Sequence, residues 1–214
     1  MIRLTAALCL LMLSVLCFTP PLASGEYVIE LPILAAIRAN NKGVFEMLMI
    51  WWDQKPTPEL VQLQAIIGGV NLGESKLSAL AQAFAYAVER TPHIRHSGTV
   101  SVRGVAYASS TSDGPSAGAA MAIGFIAMFK GDRLQPQIAL TGTFERGGSI
   151  GPVGGIPDKL RAAAREGYRT ILVPTGQIYG PNWNLNQVAM ELNLIVKEVD
   201  TIDQAYELMT GQHI

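Results

Sequence analysis

The chain has 214 residues, 49% hydrophobic and 15% charged, with 16 Lys and Arg against 17 Asp and Glu and a formal net charge of −1. That apolar share is enough to build a core and excludes a disordered chain, and the balanced charge gives no electrostatic ground for nucleic-acid binding. Three histidines and two cysteines cannot assemble a usual structural zinc site, so neither metal nor cofactor is expected.

In chain order, residues 1–25 stand apart. Arg3 is followed by an almost wholly apolar run over 4–18, Pro20 and Pro21 break any helix, and Ala23-Ser24-Gly25 offers the small residues that a signal peptidase accepts. A membrane span needs about 20 apolar residues, more than this run holds. A cleaved signal peptide is therefore the first expectation, and a retained N-terminal anchor at the inner membrane the second. Leu16 occupies the place where a small residue would precede a lipidated Cys17, which argues against a lipoprotein. Both cysteines, Cys9 and Cys17, fall in this segment, so residues 26–214 contain none and must be held by packing alone. The expected setting is periplasmic or secreted.

Apolar, β-leaning stretches follow at 27–34 and 44–52, and the proline-containing run 55–58 interrupts the chain. Residues 60–67 alternate as a half-buried strand does. The glycine-rich run 68–73 is a turn, and Leu77, Leu80, Ala81, Phe84 and Val88 mark one face of a helix over 75–90. A strand at 99–107 leads through a polar loop, 108–114, into an apolar helix that Pro115 opens and that runs to 130. A strand at 138–141, a glycine-punctuated hairpin at 144–153, a helix from 157 stopped by Gly167, a strand at 170–173, a helix at 186–192, a strand at 194–199 and a helix at 202–209 complete the chain. Without repeats or low-complexity runs, this is one mixed α/β domain. The Trp51-Trp52 pair reads as core or an oligomer contact, and the exposed face of the 44–52 strand is a candidate for receiving an extended peptide.

Two positions carry the chemistry. Ser116, in Asp113-Gly114-Pro115-Ser116-Ala117-Gly118, stands at a helix start, where unpaired backbone N–H groups and the positive helix end can stabilise an oxyanion. Small residues after it let a carbonyl approach. A serine hydroxyl needs a base. His93, His96 and His213 have no acidic orienter at a recognisable spacing, whereas Lys159 lies early in a helix of small and apolar residues where burial would leave a neutral amine. Taken singly, Ser116 also reads as a turn residue and Lys159 as a surface lysine.

The Asp113–Gly118 segment resembles the nucleophile motif of Lon peptidases. Thr141-Gly142, Gly148 and the run 151–160 (GPVGGIPDKL) resemble their second motif, which ends at the catalytic lysine, and 161–174 continues the likeness. The spacing of Ser116 and Lys159 matches the family without a gap. The clear likeness covers about residues 98–210, with a weaker echo at 69–87. It implies an α/β (α+β) domain over 26–214 with the Lon proteolytic-domain fold (ribosomal protein S5 domain 2-like), in which mixed sheets carry packed helices. It also implies a serine endopeptidase in which Ser116 is the nucleophile and Lys159 the general base. By the same resemblance Thr141 holds the lysine, the Ser116 N–H and loop amides near Asp113 and Gly114 bind the oxyanion, and Asp113 gates the dyad. Relatives of this kind form six-membered rings of identical subunits.

The sequence departs from the family at Thr143, where many relatives carry Glu. No Walker-type Gly-x-x-x-x-Gly-Lys-Ser/Thr motif occurs, so the expected substrate is polypeptide that is already unfolded, cleaved without ATP. Two other readings stand beside this one. Gly114-Pro115-Ser116-Ala117-Gly118 fits the Gly-x-Ser-x-Gly elbow of α/β-hydrolase esterases, although that elbow needs a strand leading straight into the serine and a later His. The same fold could also serve as a non-catalytic binding or assembly module.

Overall fold

The computed structural model describes residues 27–37, 42–56, 59–66, 73–106 and 113–214. The expected leader at 1–25, most of the turn at 68–73 and most of the polar run before the serine lie outside the described residues.

The elements are β1 (Val28–Ile37), β2 (Lys42–Asp53), β3 (Gln62–Ile66), α1 (Glu74–Arg90), β4 (Thr99–Ala106), a 3₁₀ turn (Pro115–Ala117), α2 (Gly118–Lys130), β5 (Ile138–Leu140), β6 (Thr143–Phe144) and β7 (Ile150–Gly151). They continue with α3 (Ile156–Arg165), β8 (Thr170–Pro174), β9 (Tyr179–Gly180), β10 (Trp183–Asn184), α4 (Leu185–Leu192), β11 (Ile195–Val199) and α5 (Ile202–Thr210). The seven-stranded sheet has the order β11-β8-β5-β1-β2-β4-β3, with two small hairpins, β6-β7 and β9-β10, outside it. Its β11-β8-β5-β1 side is parallel, β1-β2 and β2-β4 are antiparallel, and β3 runs parallel to β4. A mixed sheet with helices on both faces is what the alternation of apolar strands and amphipathic helices predicts.

Strand alternation divides the core. Ile29, Leu31 and Ile33 of β1, with Leu48 and Ile50 of β2, pack against α1, α2 and α5, whereas Leu34, Phe45, Ala139, Ile171 and Val173 pack against α3 and α4. Helix α2 is buried on all sides from Gly118 to Phe129, because α1 and α5 cover the face turned away from the sheet. Each fully buried residue such as Ile123 or Phe125 contributes about 1.5–3 kcal/mol. That anchors the helix that directly follows the turn carrying Ser116.

From Glu46 to Trp51 strand β2 is paired on both sides, by β1 and by β4. This corrects the idea that the strand receives a peptide by strand addition over 46–51, since there its backbone donors and acceptors are spent on both neighbours. Trp52 belongs to the packing, its Nε1 donating to the Ser97 carbonyl at 2.8 Å and its ring meeting Phe129 edge-on.

One irregularity matters for function. Strand β5 is three residues long and meets β1 only at Ile33↔Leu140, while β1 runs on to Ile37. Beyond Leu140 the sheet has a window between β1 and β8, through which helices on opposite faces can reach each other.

Candidate active site

The window holds the two residues singled out by sequence. Ser116 lies in the 3₁₀ turn that precedes α2 on one face of the sheet, and Lys159 lies in the first turns of α3 on the other. Both line one cleft of about 340 Å³, together with Leu34, Ala35 and Ala36 of β1 and the 152–155 loop. Thr141, directly after β5, sits between them. Its Oγ1 accepts a hydrogen bond from Lys159 Nζ at 2.9 Å and donates a long one, 3.4 Å, to the Ser116 carbonyl.

Lys159 is buried because of where it falls on its helix. Ile156, Lys159, Leu160 and Ala163 form a stripe of three- and four-residue spacing, and all four face inward. The lysine is the polar member of an apolar stripe, 2% exposed, and burial alone pushes its amine from the usual 10.5 down to about 8. A useful fraction is therefore neutral near physiological pH, which an exposed lysine does not achieve.

The approach of α3 is set by backbone. Gly43, at the start of β2, faces the Asp158 carbonyl, and a Cβ there would lie 1.8 Å from that oxygen. Arg165 Nη2 also donates to the Gly43 carbonyl at 3.1 Å. At the front of the helix, Gln177 clamps the loop before Lys159 in both directions. Its Oε1 accepts from the Val153 N–H and its Nε2 donates to the Val153 carbonyl, each at 2.9 Å.

The turn that carries Ser116 is held by Thr141-Gly142. The Gly142 N–H donates to the Ser116 carbonyl at 2.9 Å, and the Gly142 carbonyl accepts from the Ala119 N–H at 3.2 Å, satisfying one of the orphan donors of the α2 start. No side chain fits at 142, where a Cβ would stand 2.3 Å from Ile150 Cγ2. Pro115 has no N–H to satisfy, and the Ser116 N–H belongs to the first turn, where the helix itself offers no acceptor.

Of the other expected residues, Asp113 and Gly114 line the cleft, as does Thr143. The Asp113 Oδ1 accepts from the Gly114 N–H at 2.8 Å and from the Lys76 N–H at 3.0 Å. In this structure its carboxylate is engaged with the start of α1, and the Gly114 amide is engaged with that carboxylate. The histidines are elsewhere: His96 hydrogen-bonds Thr91 Oγ1 at 2.8 Å, His213 is an exposed residue beside Glu207, and His93 is exposed. Residues 113–115, which lead into Ser116, form a bend and the start of the 3₁₀ turn, so the serine is not entered directly from a strand as an esterase elbow requires.

Sequence reasoning missed Gln177, Gly142 as a backbone clamp, and a buried ion pair, Glu46–Lys76, whose lysine also lines the cleft. Polar residues on loops and strands give no periodic signal, although a lone Glu in the apolar run 44–50 was visible.

Residues 75–209 match the family model of the Lon protease (S16) C-terminal proteolytic domain. The Lon protease of Haemophilus influenzae is 35% identical over 94 residues, which is 43% of this chain and 11% of that protein. Lon protease 1 of Herpetosiphon aurantiacus is 44% identical over 62 residues, 29% of this chain and 8% of that protein. The Lon protease of Koribacter versatilis is 32% identical over 96 residues, 45% of this chain and 12% of that protein. The chain thus aligns with only about a tenth of the length of these curated relatives.

Proposed function

The chain belongs to the family of Lon protease (S16) C-terminal proteolytic domains, and from that we propose that it is a serine endopeptidase in which Ser116 and Lys159 form the catalytic dyad. The observation that carries the reading is Lys159, a buried amine hydrogen-bonded to Thr141 in the cleft that Ser116 lines. A structural lysine gains nothing from such burial, whereas a general base needs it.

The chemistry follows from the groups present. Lys159 Nζ removes the proton from Ser116 Oγ as the oxygen attacks the scissile carbonyl carbon, and the Ser116 N–H stabilises the resulting oxyanion. The lysine then passes the proton to the amide nitrogen, the C–N bond breaks, and the amine departs. Water enters, loses a proton to the Lys159 amine and attacks the ester carbonyl; the lysine returns that proton to Ser116 Oγ as the acyl C–O bond breaks, which releases the acid and regenerates Ser116. Thr141 keeps the amine aimed at the serine throughout.

An extended, unfolded substrate fits the surroundings. Residues 34–36 of β1 lie beyond its last pairing with β5 and line the cleft, so that backbone edge is open to an extended chain. A second recess of about 360 Å³, lined by Glu74, Ser75, Ser78, Gln82, Pro115 and Phe144, adjoins the cleft at Pro115. A polypeptide crossing Ser116 thus has room on both sides, which favours internal cleavage over trimming of an end.

The test is hydrolysis of casein as a function of pH, with and without ATP. The value of kcat/KM is expected to rise with pH through a limb centred near 8, because Lys159 must lose its proton to act as base. ATP is expected to change nothing. A flat profile from pH 6 to 9 would sink the lysine as base, and strong stimulation by ATP would sink independent action.

We also propose that residues 1–25 direct export, from the apolar run and the small residues that follow it. N-terminal sequencing of protein recovered from the periplasm should begin near Gly25; recovery from the cytoplasm with Met1 or Ile2 at the start would refute export.

A further inference from the structure

Helix α1 begins after Gly73, which has no side chain to cap it. The cap comes from the nucleophile loop instead, through Asp113 Oδ1 on the Lys76 N–H. The fit is tight: a Cβ at Gly73 would lie 2.2 Å from Asp113 Cγ. From the same residue the Lys76 side chain turns inward, and its Nζ stands 2.8 Å from Glu46 Oε2. Glu46 is 0% and Lys76 3% exposed. Glu46 lies on β2 directly beside Ile33, which lines the cleft, and Lys76 lines the cleft as well.

A buried ion pair is a poor source of stability, since desolving two charges consumes most of what their attraction returns. What it supplies is a fixed mutual position. We infer that the Glu46–Lys76 pair positions the nucleophile: Glu46 fixes Lys76 to the central sheet, the Lys76 N–H fixes Asp113, and Asp113 fixes the turn that carries Ser116. This inference rests on the peptidase reading. Lys76 is a positioning residue here, acting through Asp113, and displacements of about 1 Å in such a turn are enough to cost about 100-fold in rate.

The pair also bears on Lys159. Neutralising either member changes the net charge in the wall of the cavity that holds the base by one unit. Among the described residues, the other charged groups that line the cleft with Lys159 are Asp113 on the loop and Asp158 on α3, the latter bridged to Arg161 at 3.0 Å. On the elements packed against α3, Lys42 of β2 and Glu191 of α4 are exposed and outside the cleft lining, Glu191 being hydrogen-bonded to Gln187. β1 brings only apolar residues to the cleft.

Lys76→Met and Glu46→Gln test the inference. Lys76→Met should lower kcat about 10-fold or more with KM within about threefold. It should also move the acid limb of the pH profile up by about half to one unit, because loss of the Lys76 charge makes the cavity wall one unit more negative, which favours protonated Lys159. Glu46→Gln should move that limb down. In both variants hydrogen–deuterium exchange of segment 113–117 should quicken. Wild-type kcat with an unmoved limb in both variants would overturn the inference. A fall in kcat with neither a moved limb nor faster exchange would overturn it too, as general damage. If Lys76→Met fails to fold, Glu46→Gln, which keeps the shape and an acceptor oxygen, decides by the same readouts. If the wild-type protein cleaves nothing, the peptidase reading has failed, and exchange at 113–117 alone decides whether the pair holds the turn.

Discussion

Ser116→Ala is expected to lower cleavage of an unstructured substrate by at least about 10³-fold while leaving the fold intact. The size follows from the proposed role: without Oγ no acyl-enzyme forms, and what remains is the help of the oxyanion donors and substrate binding. The stability change should be small, within about 0.5 kcal/mol, because the side chain is half-exposed and makes no core contact that Ala cannot replace. The measurement pairs casein hydrolysis with thermal melting, and labelling of Ser116 by a peptidyl boronate gives a direct reading of the nucleophile. Residual activity above about a tenth of wild type would remove Ser116 from the mechanism.

Lys159→Met is expected to abolish activity and, in contrast to most core substitutions, to stabilise the fold. Burial lowers the amine from about 10.5 to about 8, so folding at pH 7 bears a cost of about 3 kcal/mol for keeping the ammonium out of water. The sign is set by proton binding. Below pH 8 the folded and unfolded chains both hold the proton and the cost is complete. Between about 8 and 10.5 the folded chain releases it first, and stability climbs with pH. Methionine fills the same apolar stripe without a charge, and its gain is reduced by about 1 kcal/mol for the donor that Thr141 loses. A net gain of about 2 kcal/mol corresponds to roughly 4–8 °C in melting temperature. The variant should also lose the rise in stability between pH 8 and 10. A destabilised Lys159→Met, or one that still cleaves, would contradict both the burial argument and the role of the base. His213→Ala serves as the control and should retain full activity, since that exposed residue lies against Glu207 at the chain end.

The proposed dyad is also a trade of stability for reactivity. Ile156, Leu160, Ala162 and Ala163 bury enough apolar surface to hold α3 against the sheet. That burial offsets the cost of Lys159, and the same burial produces its lowered pKa. The Thr141-Gly142 segment adds direction, because a neutral amine is useful as a base only when it is aimed.

The sequence by itself determined much of this protein. Apolar patterning located α1, α2, α3 and α5 and the long strands to within a few residues: burial of one face leaves a periodic spacing, as in α1, and burial on all sides leaves a continuous apolar run, as in α2. The family likeness was equally legible, since the chemistry demands small residues after Ser116 and glycines before Lys159 at fixed positions. Even the burial of Lys159 was readable in retrospect, from its place in the Ile156, Leu160, Ala163 stripe.

The tertiary structure alone decided how these parts meet. Ser116 and Lys159 come from helices on opposite faces of one sheet, and they share a cleft because β5 stops at Leu140 while β1 continues to Ile37. Strand order and the length of a partner strand are set by contacts between distant segments, and those leave no local period to read. For the same reason Asp113 as the cap of α1, Gln177 as the clamp on the 152–155 loop, and Glu46 as the partner of Lys76 became visible only once the chain was folded. Each is a single polar atom meeting another from far along the chain.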